Sequence, residues 1–328
     1  MKNKSNENHF SPVFANKSWT NEENDWNYKR YYFCKHRKKV VEAGRYVGKR
    51  GWGYEINLYS DDLESRLNKE LENNAKLLYE KLINDVILTA DERMCWGQFI
   101  ITQAIRTPSF FKYRDKIEEQ NDGDYSYKET IIGCPECEDN KNIACRNWII
   151  LNSHVDDFFI RTDNPVYMTG FIENPLTTIF YPLTPRKCFV ACSMPKYIPV
   201  LKGYEPPMPW QDTLQLEKGD AYTINFELIQ SASQSLILDK NNNNVAINSM
   251  ILEVLGNYPQ LPFLMFRADN DYESLQKQEL LTNLVSYVDG VKYPYIEYKF
   301  KPFYGVEFSN GINPFSLFGV TDNQLPNI

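Results

Sequence analysis

Long apolar segments are missing from this 328-residue sequence. No apolar run reaches the roughly 18 residues that a helix needs to cross a bilayer, and residues 1–8 lack the apolar core of a signal peptide. We therefore expect a soluble, cytoplasmic protein with no membrane partner. In that compartment the seven cysteines are expected to be reduced thiols rather than a disulfide framework.

The signatures of several common enzyme classes are missing as well. The sequence has no Walker loop, no Gly-x-Gly-x-x-Gly, no Gly-x-Ser-x-Gly and no His-Glu-x-x-His. Assignment as a P-loop NTPase, a Rossmann enzyme, an α/β-hydrolase or a zincin therefore has no support in the sequence.

The overall charge is negative, but one segment is strongly basic. A formal net charge of -7 disfavours a protein that coats nucleic acid indiscriminately. Residues 29–50 nevertheless contain nine Lys or Arg against Glu42 alone, interleaved with aromatic rings. Cations neutralise phosphates and rings stack on bases, so Arg37, Lys38 and Lys39 are candidate contacts to a nucleic acid or nucleotide. The alternative is a charged hairpin whose edge resists aggregation.

Periodicity predicts an α+β fold, with a mixed or antiparallel sheet packed against a long helical pair and further C-terminal helices. Leucines recur at helical spacing after Ser60, and a second helix begins at Thr89 and ends or kinks at Thr107-Pro108. Strands are expected in residues 28–58, then near 146–152, 157–161, 177–181 and 187–194, and helices over 219–237 and 244–256. Residues 1–240 are expected to form one α+β domain with a cysteine-containing insertion at about 121–145, and residues 241–328 a C-terminal extension packed on it.

Two places concentrate polar side chains. An apolar strand runs into the turn Thr162 to Pro165, which holds Asp163 and Asn164 at the end of a sheet, where loops carry chemistry on a rigid scaffold. Alternatively, these side chains bond their own backbone and only end the strand. Gln103 and Arg106 lie three residues apart and share a helix face.

Glu72, on the neighbouring helix, is expected to reach the face that carries Gln103 and Arg106. It is then either a carboxylate partner within a site or one half of a structural ion pair with Arg106.

Six short motifs occur in a definite order along the chain. They are His9-Phe10-Ser11-Pro12, Leu71-Glu72, Gln103 to Pro108, Thr162 to Pro165, Pro182-Leu183 and Asn225. In this order they resemble a bacterial family, domain of unknown function 4238. The resemblance covers roughly residues 8–240 and has no counterpart for Cys134 to Cys145 or for the segment after about 240. The family has no established activity, so the resemblance implies candidate positions and no reaction.

Two functional classes follow from these positions. In the first, the protein is an intracellular bacterial hydrolase, a metal-independent nuclease or nucleotide-processing enzyme of a toxin or antiviral defence kind. His9 is then the general acid/base, Arg106 neutralises a phosphate, and Asp163 orients the histidine or activates water. Asn164 and Gln103 position the substrate. In the second class, the protein is a non-catalytic sensor module that binds nucleic acid or protein.

A structural zinc ion is a separate possibility. Cys134 and Cys137 form a Cys-x2-Cys knuckle that fits two vertices of a tetrahedral site, and Cys145 is a possible third ligand, with His154 a distant fourth. The alternative is three unrelated thiols in a surface insertion. No second close cysteine pair completes the pattern.

Overall fold

The computed structural model describes part of the chain. These residues are 7–20, 29–34, 39–42, 52–111, 138–168, 172, 178–191, 211–233, 235–238, 248, 249 and 251. No helix within these ranges is long and apolar enough to cross a membrane.

The N-terminal segment is pinned against a short strand that follows the basic region. Strand β1 (Glu7–His9) pairs antiparallel with β4 (Tyr54–Ile56), and the chain then turns through helix α1 (Val13–Asn16) and a 3-10 turn (Lys17–Trp19). Gly53 has φ of +86°, and a Cβ there would lie 2.9 Å from Asn16 Nδ2. Only glycine suits this position, because the backbone is left-handed and the space is filled.

A long helical pair follows, at the positions that the leucine spacing predicts. The first member is continuous from α2 (Asp61–Arg66) through a π-helical stretch (Leu67–Glu72) into α3 (Asn73–Ile83), and the Ser60 hydroxyl caps its start. The second member, α4 (Ala90–Ile105), begins with a capping box between Thr89 and Glu92. It ends just before Thr107-Pro108, as predicted.

Helix α5 (Glu138–Ala144) packs closely on α4. Gly97 of α4 makes this approach possible, because a Cβ at that position would lie 2.8 Å from the Asn140 carbonyl oxygen. Arg93 stabilises the same contact. Its Nε donates to Ala144 O at 2.9 Å, and its guanidinium carbon lies 3.7 Å from the centroid of the Trp148 ring.

Two larger sheets complete the described fold, which is therefore α+β as predicted. One is five-stranded and mixed, with β10 (Gln211–Gln215) parallel to β5 (Trp148–Asn152) and the other pairs antiparallel. Its remaining strands, in spatial order after β5, are β9 (Lys187–Ala191), β8 (Ile179–Thr184) and β7 (Tyr167–Met168). The four-stranded sheet is antiparallel, in the order β3 (Lys39–Glu42), β2 (Lys29–Cys34), β11 (Ser235–Leu238) and β6 (Arg161–Thr162).

The predicted helix over 219–237 is wrong at its C-terminal end. Helix α6 (Asp220–Ser231) stops at Ser231, and residues 235–238 form β11, whose four side chains are all buried. An apolar run of this length fits a central strand that is covered on both faces, and β11 lies between β2 and β6.

The five-stranded sheet is buried on both faces, which explains its apolar strands. Alternate residues of β5 and β9 pack into two different hydrophobic cores, one on each face of the sheet. Ile150 and Phe189 pack with the helical pair, whereas Ile149 and Val190 pack with α6 and β11. Hydrogen bonds from Arg161, the first residue of β6, to Ser11 and Asn16 join this strand to the N-terminal segment.

Candidate functional site

Arg106 is the centre of the first group of polar side chains. It is fully buried and donates from Nη1 to Glu72 Oε1 at 2.6 Å and from Nε to the Phe10 carbonyl oxygen at 3.1 Å. The amide oxygen of Gln103, turned towards the guanidinium, accepts from Nε and Nη2 at 2.9 and 2.8 Å. Glu72 and Arg106 thus form the inter-helix ion pair that the sequence allows, and the guanidinium also holds the backbone next to His9.

His9 lies on the outer side of this group. Its Nδ1 is 3.4 Å from Glu64 Oε1, and the two side chains remain 27% and 20% exposed. The Tyr59 hydroxyl donates to the His9 carbonyl oxygen at 2.8 Å. We call His9, Tyr59, Glu64, Glu72, Gln103 and Arg106 the His9 cluster.

The charges of the His9 cluster shape its protonation states. Burial opposes ionisation of Glu64, but contacts with His9, the nearby Tyr59 hydroxyl and the charge of Arg106 together lower the pKa of this carboxyl group. Burial raises the pKa of Tyr59 well above its usual value, although Arg106 acts in the opposite direction. At neutral pH Glu64 is therefore a carboxylate and Tyr59 is a neutral hydrogen-bond donor.

Arg161, which is absent from the predicted site, organises a second group. It is fully buried, and its guanidinium donates to Asn16 Oδ1 at 2.8 Å, to the Tyr181 hydroxyl at 2.8 Å and to Pro182 O at 3.0 Å. Its Nη2 also reaches Ser11 Oγ at 3.2 Å. We call Ser11, Asn16, Arg161 and Tyr181 the Arg161 network. Among the described residues, no carboxylate pairs with this arginine.

The side chains of Asp163 and Asn164 form hydrogen bonds with backbone groups at the end of α6 and in the residues that follow it. The Asp163 carboxylate accepts from the amides of Ser233 and Ser235 at 2.7 and 2.9 Å. The Asn164 amide donates to Ser231 O at 2.6 Å and accepts from Ser109 Oγ at 2.8 Å. Both residues are 5% exposed, so this turn ties two segments together inside the fold.

Contacts among the six motifs explain why they occur together. Phe10 and Ser11 of the first motif contact Arg106 and Arg161 respectively. Ser109, just after the third motif, bonds to Asn164 of the fourth. Pro182 of the fifth accepts from Arg161, and Asn225 of the sixth bonds to Phe158 O and Ile160 N. The motifs therefore converge on one polar framework that holds the N-terminal segment.

Other predicted site residues lie outside the described residues or apart from this framework. Arg37, Lys38, Cys134 and Cys137 are not among the described residues, and Lys39 is placed only as the first residue of β3. Cys145 is exposed, with a free thiol, at the end of α5. Within the described residues, no group of three or more His, Cys, Asp or Glu side chains is placed to hold a metal ion. The zinc site and the basic surface stay predictions.

Sequence reasoning missed several residues of this framework, among them Asn16, Tyr59, Glu64 and Arg161. Arg161 could have been recognised from the sequence, because a charged residue inside an apolar strand is rarely buried unless it has partners. No comparable sequence feature indicates Glu64. It lies in the first turn of α2, where acidic residues are common, and its histidine partner is 55 positions away.

Comparison with known proteins gives one match. No curated protein matches the chain, and no solved structure does. Residues 7–131 contain the first three motifs, and the last three motifs lie beyond residue 131. This range matches the model of the family described as Protein of unknown function (DUF4238), which confirms the resemblance that the motifs indicate.

Proposed function

We propose that this protein is a hydrolase in which His9 transfers the proton. The observation that carries the proposal is the pair of His9 and Glu64, which is partly exposed while the Arg106 guanidinium of the same cluster is fully buried. A histidine whose Nδ1 faces a carboxylate is held in one orientation and one tautomer. Its Nε2 is then the atom that exchanges a proton with substrate or water.

The framework around His9 supports this assignment. Arg106 fixes the backbone at Phe10, and Tyr59 fixes the His9 carbonyl group, so two hydrogen bonds restrain the backbone at His9 and at the residue that follows it. Catalysis needs such restraint, because displacement of a catalytic group by about 1 Å can cost about 100-fold in rate. A histidine near a chain terminus would otherwise be poorly placed.

Arg106 and Asp163 are better suited to positioning than to the direct roles expected from the sequence. The Arg106 guanidinium is fully buried, paired with Glu72 and hydrogen-bonded to the Phe10 carbonyl oxygen, so these partners already occupy the groups that would bind a phosphate. The Asp163 oxygens already accept two backbone amides. In our proposal both residues hold the scaffold, and Glu64 takes the role of orienting His9.

Nucleotides or nucleic acids remain the proposed substrates, with growth arrest or phage defence as the biological setting. The support is the basic, aromatic segment 29–50, which contains Arg37, Lys38 and Lys39 and ends shortly before β4, the strand that pairs with His9. The second candidate is a non-catalytic binding module. It is favoured by the full internal bonding of Arg106 and Asn164, because such bonding is typical of architecture.

The test compares His9→Ala with His154→Ala, a matched change at a partly exposed histidine that contacts Asp156 outside the cluster. Hydrolysis of a panel of nucleosides, nucleotides and oligonucleotides is measured, together with growth arrest on overexpression. We expect His9→Ala to lower hydrolysis by about 100-fold or more while the melting temperature stays near that of the parent. Hydrolysis that is equal in the parent and in His9→Ala would refute the proposal.

A further inference from the structure

We infer that the bond broken at the His9 cluster is the N-glycosidic bond of a nucleoside or nucleotide, rather than a phosphoester bond. This inference rests on the proposed function and names its substrate class. It follows from the sign of the charges around His9 and from an oxygen of Glu64 that has no hydrogen-bond donor among the described residues.

With His9 neutral, the described residues of the His9 cluster carry a net negative charge, and a proton on His9 balances it. One guanidinium, Arg106, faces two carboxylates, Glu64 and Glu72. Glu72 is bound to Arg106 at 2.6 Å, so this pair is neutral. Glu64 is the remaining charge, and it is the carboxylate next to His9.

A negative site selects for transition states that gain positive charge. Phosphoryl and acyl transfer concentrate negative charge on oxygen, and enzymes stabilise it with arginines, backbone amides or metal ions. Glycosidic cleavage instead passes through an oxocarbenium-like sugar, which carboxylates stabilise. With Arg106 neutralised and buried, Glu64 would oppose an anionic transition state and stabilise a cationic one.

The second carboxylate oxygen of Glu64 is complementary to a sugar hydroxyl. Glu64 Oε2 has no hydrogen-bond donor among the described residues, and the Glu64 side chain is 20% exposed. A sugar hydroxyl can donate a hydrogen bond to such an oxygen.

The reaction balances with His9 and water alone. Protonated His9 gives its proton to the leaving nitrogen of the base as the bond to the anomeric carbon breaks, and both bonding electrons go to that nitrogen. The positive charge thereby passes from the imidazolium to the sugar, and Glu64 lies beside it throughout. A water oxygen then bonds to the anomeric carbon, and neutral His9 takes the released proton, which restores the starting state.

The test uses two groups of substrates and one binding probe with the full-length protein. Inosine, uridine and 4-nitrophenyl β-D-ribofuranoside report glycosidic cleavage, whereas 4-nitrophenyl phosphate and bis(4-nitrophenyl) phosphate report phosphoester cleavage. The probe is 1,4-dideoxy-1,4-imino-D-ribitol, a cation that resembles the sugar transition state, with vanadate as the anionic counterpart. Glu64→Gln removes the charge at constant shape, and Glu70→Gln is the control on an exposed position of the same helix.

We expect ribosides to be cleaved, Glu64→Gln to lower kcat by about 100-fold, and the iminoribitol but not vanadate to bind the parent. If Glu64→Gln fails to fold, Glu64→Asp and the preference of the parent for the iminoribitol over vanadate decide the question. Cleavage of the phosphoesters alone, dependent on His9, would overturn this inference and leave the proposed hydrolase intact. No His9-dependent cleavage in either group would overturn both.

Discussion

The two buried arginines near the N-terminus are held in different ways. Arg106 has a carboxylate partner, whereas the acceptors around Arg161 in the described part of the chain are hydroxyl, amide and carbonyl oxygens. Burying a guanidinium is costly unless its donors are satisfied, and both residues meet that condition by reaching across the fold. Each arginine therefore links segments that are distant in sequence, and each contacts the segment that carries His9.

The Glu72 and Arg106 pair gives the first prediction at this scale. Glu72→Ala leaves a buried guanidinium without its counter-charge, so we expect the free energy of unfolding to fall by about 3–5 kcal/mol. Urea denaturation measures the change. Glu70→Ala, an exposed residue two positions earlier, is the control and should leave stability unchanged. If both variants matched the parent in stability, Arg106 would not depend on Glu72, and a direct role for the arginine would regain support.

Sequence reasoning at the residue scale succeeded where partners are local. Gln103 and Arg106 share a helix face because they are three residues apart, and their mutual bond could be expected. The Glu72 partner could be listed as an alternative once two neighbouring helices were predicted. The bond from Arg161 to Ser11 spans 150 positions, and no periodic pattern connects such residues.

The same limit appears at the scale of helices and strands. The capping box at Thr89 and the leucine spacing after Ser60 define helix starts by local chemistry, and both predictions are confirmed. The predicted helix over 219–237 includes residues 235–237 of β11, because nothing local separates a short buried strand from a helix end. Strand order is also non-local. β11 lies between β2 and β6, which come from much earlier in the chain.

Packing of α5 on α4 gives the prediction for this scale. In an isolated helix Gly→Ala adds stability of about 1 kcal/mol, because alanine is the better helix former. At Gly97 the sign should reverse, since the new Cβ would lie 2.8 Å from the Asn140 backbone oxygen and α5 would have to move. We expect Gly97→Ala to lower the melting temperature and to increase proteolysis at residues 138–144. A melting temperature at or above that of the parent would show that α5 is not held this closely.

Across the whole molecule, α6 joins the two larger sheets through polar contacts. Asn225 bonds to the backbone before β6, Ser231 accepts from Asn164, and Glu227 interacts with Tyr167 of β7. The helix therefore braces the strand, turn and strand from Phe158 to Tyr167 along its length. Arg161 lies within that stretch, so the brace also supports the network that holds the N-terminal segment.

The buried carboxyl of Glu227 makes global stability depend on pH. Burial raises its pKa from the usual 4.5 to about 7, although the Tyr167 hydroxyl acts in the opposite direction. The folded protein therefore binds more protons than the unfolded chain between these values, and stability must fall as pH rises through this range. The contribution is fully present below about pH 4.5 and is lost above about pH 7, with a size on the order of 3 kcal/mol.

Glu227→Gln tests this dependence, because glutamine resembles the protonated acid and does not titrate. We expect the variant to match the parent near pH 5 and to be more stable than it at pH 8, by urea denaturation at intervals between these values. The difference between the two proteins is the informative quantity, since other groups titrate equally in both. Glu217→Gln, an exposed change just before α6, is the control and should give no pH-dependent difference. Parallel stability curves for Glu227→Gln and the parent would mean that Glu227 is already ionised and paired in the folded protein at neutral pH.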